Sequence, residues 1–164
     1  WGRALFEGAD ALWVREDEVL VGLGRRTNRA AFEQLSGLLA DMGVRATAVP
    51  VPDGSQHLLG ALAFVDRDRV LMREDRADPA LLEAVQARGY RALVLPADDE
   101  VVRGWAMNIV TLRPGALLMP AGCPVTRRRY EDAGIAVHEA QVGEYLKAAG
   151  GLGCLTGVLS RALS

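Results

Sequence analysis

The chain has 164 residues, of which 50% are apolar and 24% charged, so it can bury the core of one folded domain. A net charge of -2 gives no electrostatic reason to expect nucleic acid or an anionic membrane as a partner. No apolar run approaches the ~20 residues of a membrane-spanning helix, and neither a signal peptide nor a disulfide framework is recognisable, so we expect a cytoplasmic protein.

The first predicted unit is a hairpin followed by a helix and a third strand. Two apolar runs between residues 11 and 23 flank a polar turn, and Thr27 or Asn28 can cap the helix that follows. The helix should bury a stripe of apolar residues at helical spacing: Phe32, Leu35, Leu38, Leu39 and Met42. Gly43, in the left-handed conformation, should end the helix before a strand at 44–51.

The second unit repeats this plan, with an apolar strand that starts at Leu58 and a hairpin between residues 62 and 72. Asp78 suits the N-cap of the next helix and Pro79 its first turn. The inward-facing residues of this helix should be Leu81, Leu82 and Val85. Gly89 should end the helix before another strand.

The third unit has a predicted hairpin between residues 108 and 119. Pro124 should begin a helix that Gly134 ends, and a last strand follows at 135–138. Residues 154–159 are predicted to begin one more unit with a strand.

The units recur about every 45 residues, as the spacing of Gly43, Gly89 and Gly134 indicates. A ββαβ unit of this length cannot bury its own sheet face and must pack on neighbouring units. We therefore predict a single partial domain over 1–164 whose open ends need missing N-terminal repeats or a second chain, for example in a homodimer, to cover them. The predicted boundaries are roughly 1–52, 53–98 and 99–142, with a closing segment at 143–164.

Polar side chains that can carry chemistry recur at the start of each unit: Glu7, His57, Asn108 and Cys154. Repeats related by rotation place equivalent positions around one axis, so a carboxylate, an imidazole and a thiol can meet in one site. This set predicts a nucleophilic enzyme of the Cys-His-acid type.

Cys154 has two interpretations. Free cysteine is among the most buried residue types, so Cys154 can be a structural side chain at the start of a strand. Three glycines among the four preceding residues favour a nucleophile, because they let a ligand approach the sulfur closely. A neighbouring cation such as protonated histidine would activate the thiol.

His57 follows a turn sequence, and its ring can either be satisfied by the backbone or serve as the general acid–base. The second histidine, His138, lies in a repeat strand and should be structural or exposed. Glu7 and Asp10 are acids beside small residues, and surface acids are usually solvated. Because these acids precede an apolar strand, they can instead face inward, where they would bind a cation or orient His57.

The remaining polar motifs predict no cofactor and no metal. The loop at 22–28 follows a strand and opens a helix, but it lacks a Walker lysine and a full dinucleotide glycine pattern. An arginine in this loop can instead grip a carboxylate. The arginines at 127–129 should form a solvated helix face, and two cysteines with two histidines show no zinc spacing.

An ordered set of short motifs runs through the whole chain. It consists of Glu-Gly-Ala-Asp at 7–10, Gly-Leu-Gly-Arg-Arg-Thr-Asn at 22–28, His-Leu at 57–58, Ala-Met-Asn at 106–108, Met-Pro-Ala-Gly at 119–122 and Gly-Gly-Leu-Gly-Cys at 150–154. Together these motifs resemble the dimethylarginine dimethylaminohydrolases, within the guanidino-group-modifying superfamily that includes arginine deiminases and amidinotransferases. The resemblance implies an α+β fold, a pentein-type α/β propeller of five ββαβ units around a pseudo-fivefold axis. This chain would carry the last three units and the start of a further one.

The resemblance also implies a catalytic set. By position, Cys154 corresponds to the cysteine that attacks the guanidinium carbon. His57 corresponds to the histidine that protonates the departing amine and then activates water, and Glu7 to the acid that holds the guanidinium and supports the histidine. The implied reaction converts an Nω-methylated arginine to citrulline and an amine through a thiouronium intermediate.

Three further positions are implied to bind or shape the substrate site. Arg26 matches the arginine that binds the substrate α-carboxylate, while Asp10 and Asn108 match recurring residues that shape the site. The implied partner is therefore a small guanidino molecule.

One departure from the family pattern leaves the substrate open. The arginine deiminases carry His-Leu-Asp and the dimethylargininases usually carry lysine at the third position, where this chain has Leu59. Leu59 argues against arginine as the main substrate. The alternatives are an amidinotransferase or arginine deiminase-like enzyme on another guanidine, and a non-catalytic binding protein, because a ribosome-binding factor uses the same propeller.

Overall fold

The computed structural model describes residues 2–148 and 150–158. Within these ranges the chain forms three sheets of three strands, and each sheet keeps its strands in chain order. The third strand of every sheet is parallel to the second, and the hairpins of the first and third sheets are antiparallel. The predicted ββαβ units are therefore confirmed.

The first sheet has its central strand almost fully buried, whereas its two outer strands are partly exposed. The helix begins after Asn28, whose Oδ1 accepts a hydrogen bond from the backbone N–H of Ala31 at 3.0 Å. Asn28 rather than Thr27 is therefore the cap. The elements are a 3-10 turn at Gly8–Asp10, β1 at Ala11–Arg15, β2 at Glu18–Leu23, α1 at Arg29–Asp41 and β3 at Arg45–Pro50.

Helix α1 buries a narrower stripe than its sequence predicts. Leu39 is buried, and Phe32 and Leu35 pack against the same cluster. Leu38 and Met42, however, are 65% and 73% exposed, so their predicted burial is wrong. The sheet covers one side of the helix, and Leu38 and Met42, four residues apart, lie on a neighbouring stripe.

The second unit confirms the predicted helix start. Asp78 accepts hydrogen bonds from the N–H groups of Ala80 and Leu81, and Pro79 occupies the first turn. The strand predicted from Leu58 begins later, because residues 58–60 form a 3-10 turn capped by the preceding side chain. The elements are the 3-10 turn Leu58–Gly60, β4 at Leu62–Asp66, β5 at Arg69–Arg73, a 3-10 turn at Glu74–Arg76, α2 at Pro79–Gln86 and β6 at Arg91–Leu95.

The third unit departs from the prediction at its end. Cys154 lies inside a short helix and not at the start of a strand. The glycines before it allow a tight turn, in which the N–H of Gly153 donates a hydrogen bond to the side chain of Asn108. Leu159, the predicted end of that strand, lies outside the described residues. The elements are α3 at Asp99–Val102, β7 at Val110–Arg113, β8 at Ala116–Pro120, α4 at Pro124–Asp132, β9 at Ala136–Ala140, α5 at Gly143–Leu146 and α6 at Leu152–Leu155.

Glycines in the left-handed conformation mark the ends of the three long helices. Gly43, Gly89 and Gly134 have φ angles of 75°, 84° and 77°. A side chain at such a position strains the backbone, so the regular spacing of these glycines reflects the same turn geometry in each unit.

The chain divides into two compact units, Trp1–Phe64 with Asp68–Pro96, and Val65–Arg67 with Ala97–Ser164. The first contains an apolar core to which the first two sheets and helix α2 contribute. Its long-range bonds include Tyr90 Oη to the carbonyl of Val14 at 2.8 Å and Arg88 Nε to Oε1 of Glu18 at 2.8 Å. Within the described ranges, every helix is too short or too polar to cross a bilayer.

Candidate active site

Glu7 lies immediately before the 3-10 turn Gly8–Asp10 and is partly buried. Its Oε1 accepts a long hydrogen bond of 3.5 Å from the N–H of Ala9, which orients the carboxylate. Its Oε2 lies 3.3 Å from Nη1 of Arg26. The Glu7 carboxylate therefore already pairs with a guanidinium group.

Arg26 connects Glu7 to the segment that precedes His57. Its Nη2 donates to Oε1 of Gln56 at 3.2 Å, while Nη1 faces the carboxylate. The Arg26 side chain is 47% exposed and can reach solvent molecules as well. Its binding of a substrate carboxylate stays a prediction.

His57 caps the 3-10 turn that follows it. Its Nδ1 accepts a hydrogen bond from the N–H of Gly60 at 3.2 Å, and the same N–H also donates to the His57 carbonyl at 3.1 Å. A neutral imidazole with an accepting Nδ1 carries its proton on Nε2. One ring nitrogen of His57 is therefore satisfied by the backbone, and the hydrogen bond from the Gly60 N–H fixes this tautomer of the neutral ring.

Asp10 is fully buried and uses both carboxylate oxygens within the protein. Oδ2 accepts from the hydroxyl of Thr27 at 2.6 Å, and Oδ1 accepts from the N–H of Leu58 at 2.7 Å. The two 3-10 turns, at residues 8–10 and 58–60, are in contact. Asp10 thus joins these two turns, and its roles in shaping the site and binding substrate stay predictions.

Asn108 and Cys154 form a second group, in the other compact unit. Asn108 Oδ1 accepts from the N–H of Gly153 at 2.7 Å, and its Nδ2 donates to the sulfur of Cys154 at 3.4 Å. A Cβ atom at Gly151 would lie 2.5 Å from Asn108 Oδ1. The close approach of Asn108 to this turn therefore requires a residue without a side chain at position 151.

The two cysteines have opposite surroundings. Cys154 is exposed in this chain, so its interpretation as a buried structural residue is wrong. Cys123 is buried, and burial followed by the nearby carboxylates, Glu100 first, raises the pKa of its thiol. Of the two free thiols, Cys154 is the one that is accessible to a reagent.

The structure groups the predicted site residues into two sets. Glu7, Asp10 and Arg26 are connected to the residues on either side of His57 within the first compact unit. Asn108 and Cys154 are joined within the second. That the two sets form one site stays a prediction.

Two polar residues of the first set were not assigned to the site from sequence. Sequence alone suggests Thr27 only as a helix cap and gives Gln56 no role, yet both bond to predicted site residues. Their positions beside Arg26 and His57 were the available signal. Elsewhere, His138 is exposed in β9, as predicted.

The predicted solvated arginine face on α4 is more structured than expected. Arg127 pairs with Glu131 and Glu139, and Arg129 pairs with Asp98 at 2.6 Å. In the described part of the chain, no three His, Cys, Asp or Glu side chains are close enough together to hold a metal ion.

Comparison with known proteins places this chain among guanidino-modifying proteins. A model of the arginine deiminase family matches residues 1–90. A dimethylarginine dimethylaminohydrolase of Streptomyces coelicolor is 29% identical over 95% of this chain and 55% of its own length. An arginine deiminase of Rhodococcus jostii is 28% identical over 94% of this chain and 46% of its own length.

Solved structures share the fold. An amidinotransferase of Microseira wollei from the saxitoxin biosynthetic pathway superposes with a TM-score of 0.84 at 17% identity, over 97% of this chain and 48% of that chain. A mutant DDAH of Pseudomonas aeruginosa in complex with citrulline has a TM-score of 0.71 at 25% identity, over 92% of this chain and 55% of that chain. The predicted pentein-type fold class is confirmed. The chain spans about half the length of the relatives that it matches.

Proposed function

Because this chain belongs to the arginine deiminase family, we propose that the complete protein is a hydrolase that breaks a C–N bond of a guanidino group. The proposed substrate is an Nω-methylated arginine, and the products are citrulline and methylamine or dimethylamine. Similarity to the dimethylarginine dimethylaminohydrolases of Streptomyces coelicolor and Pseudomonas aeruginosa, over more than nine-tenths of this chain, supports this choice.

One observation carries the proposal. The thiol of Cys154 is exposed, and the amide of Asn108 donates to its sulfur while holding the neighbouring backbone N–H. An accessible thiol at a fixed position is what a covalent attack requires. The partly exposed Glu7, already paired with a guanidinium, supplies the complementary anion.

In the first half of the proposed reaction, Glu7 holds the planar cation and the Cys154 thiolate forms a C–S bond with the guanidinium carbon. The tetrahedral adduct collapses when protonated His57 gives a proton to the methylated nitrogen, which leaves as an amine. The substrate then remains attached to the sulfur as an S-alkylthiouronium.

In the second half, neutral His57 accepts a proton from water, and the hydroxyl group adds to the thiouronium carbon. The C–S bond breaks and the thiolate of Cys154 returns. The hydroxyl group loses its proton to solvent, where the released amine takes it up as ammonium, and the oxygen remains as the urea carbonyl of citrulline. One water is consumed and one amine is released, and a single imidazole transfers the proton in both halves.

We also propose that the protein is cytoplasmic and that further units or a second copy of the chain surround the three units of this chain. Both described cysteines are free, which fits the reducing cytoplasm. Further ββαβ units or a second copy of the chain would complete the ring that the fold of the relatives implies. The mass of the natural protein in solution tests this part.

A second candidate is arginine deimination, because an arginine deiminase of Rhodococcus jostii is about as similar to this chain as the dimethylargininases are. The same residues would act on it, with ammonia as the leaving group. The two candidates differ only in the substituent on the attacked guanidinium.

The deciding experiment measures citrulline released by the complete natural protein from asymmetric dimethylarginine and from arginine, with Cys154→Ser as the matched blank. We expect citrulline mainly from the methylated substrate, and a loss of at least about a thousandfold in Cys154→Ser. Citrulline mainly from arginine would establish the deiminase instead. No citrulline from either substrate, or a Cys154→Ser enzyme of normal rate, would overturn the proposal, and an amine acceptor added to the assay would then test amidino transfer.

A further inference from the structure

Thr27 is a buried residue that the proposed mechanism does not use. Its hydroxyl donates to Oδ2 of Asp10 at 2.6 Å and accepts from the N–H of Glu7 at 3.0 Å. Both Thr27 and Asp10 are 0% exposed. A short hydrogen bond from a hydroxyl to a buried carboxylate is of the strong, charge-assisted kind.

Asp10 extends this connection to the histidine. Its Oδ1 accepts from the N–H of Leu58, the residue after His57, at 2.7 Å. Leu58 is itself fully buried, and the surroundings are tight, since a Cβ at Gly22 would lie 3.0 Å from Asp10 Oδ1. The side chains of Thr27 and Asp10, bonded to each other, therefore hold the backbone N–H groups of Glu7 and Leu58.

The Thr27–Asp10 pair joins three chain segments that are distant in sequence. They are the turn after Glu7, the loop that carries Arg26 and the turn that begins at His57. A buried carboxylate is costly unless its hydrogen bonds are made, so loss of one partner is expected to shift the whole arrangement.

We propose that Thr27 is a positioning residue, which acts through Asp10 to fix the spacing between the Glu7 carboxylate and the His57 imidazole. This inference rests on the proposed function. Where two catalytic groups must reach the same carbon, a misplacement of about 1 Å can lower the rate by about a hundredfold.

The test compares Thr27→Val, which keeps the shape and removes the hydroxyl, with Thr27→Ser, which keeps the hydroxyl. Thr126→Val is the matched control. Thr126 is also 0% exposed, and its Oγ1 has no hydrogen-bond partner within residues 2–148 and 150–158. The control thus makes the same change at a buried threonine without breaking a hydrogen bond.

Two readouts are measured on each complete natural protein: kcat and KM per folded molecule, and hydrogen exchange of the Leu58 and Glu7 amides by NMR. We expect Thr27→Val to lower kcat by about 10- to 100-fold and to speed exchange of both amides. Thr27→Ser should stay within about threefold of the wild type in kcat and keep both amides protected, as should Thr126→Val.

A folded Thr27→Val protein with normal kcat and protected amides would overturn the inference. If Thr27→Val does not fold, Asp10→Asn replaces it, because this change keeps the shape and weakens the bond to the Leu58 N–H. Unchanged Leu58 exchange in Asp10→Asn would then overturn it equally. A wild type without activity on any guanidine would defeat the proposed function, and the exchange data would still decide the role of Thr27.

Discussion

The side chain of Asn108 holds the backbone N–H of Gly153 at 2.7 Å and the sulfur of Cys154 at 3.4 Å. One amide group thus fixes both the turn that carries the thiol and the thiol itself. The first residues of this turn are glycines, which have no side chains of their own to orient it.

Asn108→Ala should lower kcat by about tenfold or more, because it frees the turn and the thiol together. Gly151→Ala should be similarly damaging, since its Cβ would collide with Asn108 Oδ1. In the double variant the collision is relieved, so its loss should be smaller than the product of the two single losses.

This double-mutant cycle is read from citrulline release and from the rate of Cys154 alkylation by iodoacetamide. Gln141→Ala, at an exposed position, is the control and should behave as the wild type. Strictly multiplicative losses would show that Gly151 and Asn108 act independently and would contradict the packing argument.

Arg26→Lys should lower kcat/KM by about 10- to 100-fold. A lysine ammonium cannot bridge Glu7 and Gln56 in the forked manner of the guanidinium, and it cannot bind a carboxylate in bidentate fashion. Steady-state kinetics with the methylated substrate measure the effect. Arg25→Lys at the exposed neighbouring position is the matched control, and an equal loss there would show that the effect does not depend on the contacts of Arg26 with Glu7 and Gln56.

The neutral ring of His57 should carry its proton on Nε2, because Nδ1 accepts from the N–H of Gly60. Nitrogen-15 chemical shifts of the ring, measured in the folded protein at alkaline pH, distinguish the two tautomers. His138, which is exposed, is the internal reference. A neutral ring with its proton on Nδ1 would contradict the cap seen at the start of the 3-10 turn.

The stability of the first compact unit should depend on pH through Glu18, whose side chain is 1% exposed. Burial raises the pKa of Glu18, but its bonds to Arg88 and Arg45 outweigh burial and place the pKa below its usual value. A carboxyl group with a lowered folded-state pKa stabilises the fold above its unfolded pKa of about 4.3, and this stabilisation is lost as pH falls through the folded value.

Glu18→Gln should therefore cost about 3 kcal/mol in the free energy of unfolding at neutral pH, because it leaves Arg88 without its anion. Urea denaturation at pH 7 and in steps below pH 4 should show the difference from wild type shrinking with acid. The exposed Glu16→Gln is the control, with little change expected. A difference that persists unchanged at low pH would exclude the ion pair as its source.

The repeat could be predicted from sequence because each unit carries the same signal, a glycine at the end of its long helix. Leu38 and Met42 could not be placed correctly, since helical spacing shows which residues share a stripe but not how much of the helix the sheet covers. The start of a new unit predicts a strand at Cys154, as in the earlier units. The helix around it depends on Asn108, 46 residues earlier, which local sequence cannot reveal.

The same limit applies to the contacts of Thr27 and Gln56 with predicted site residues. Thr27 contacts Asp10 across 17 residues of chain, and Arg26 contacts Gln56 across 30. Contacts of this kind are set by the loops that the sheets bring together. A hydroxyl or an amide in a loop has no periodicity that would mark it as part of a site.

The bonds from Arg88 to Glu18 and from Tyr90 to Val14, 70 and 76 residues apart, also bear on how the protein is made. As the chain leaves the ribosome, the first sheet emerges long before the residues that cover and cap it. The first repeat therefore waits, with part of its apolar surface open, until the end of the second repeat has been synthesised. Synthesis of residues 1–52 alone should thus yield a nascent chain that protease and chaperones recognise, and protection should appear only once residue 90 has cleared the exit tunnel.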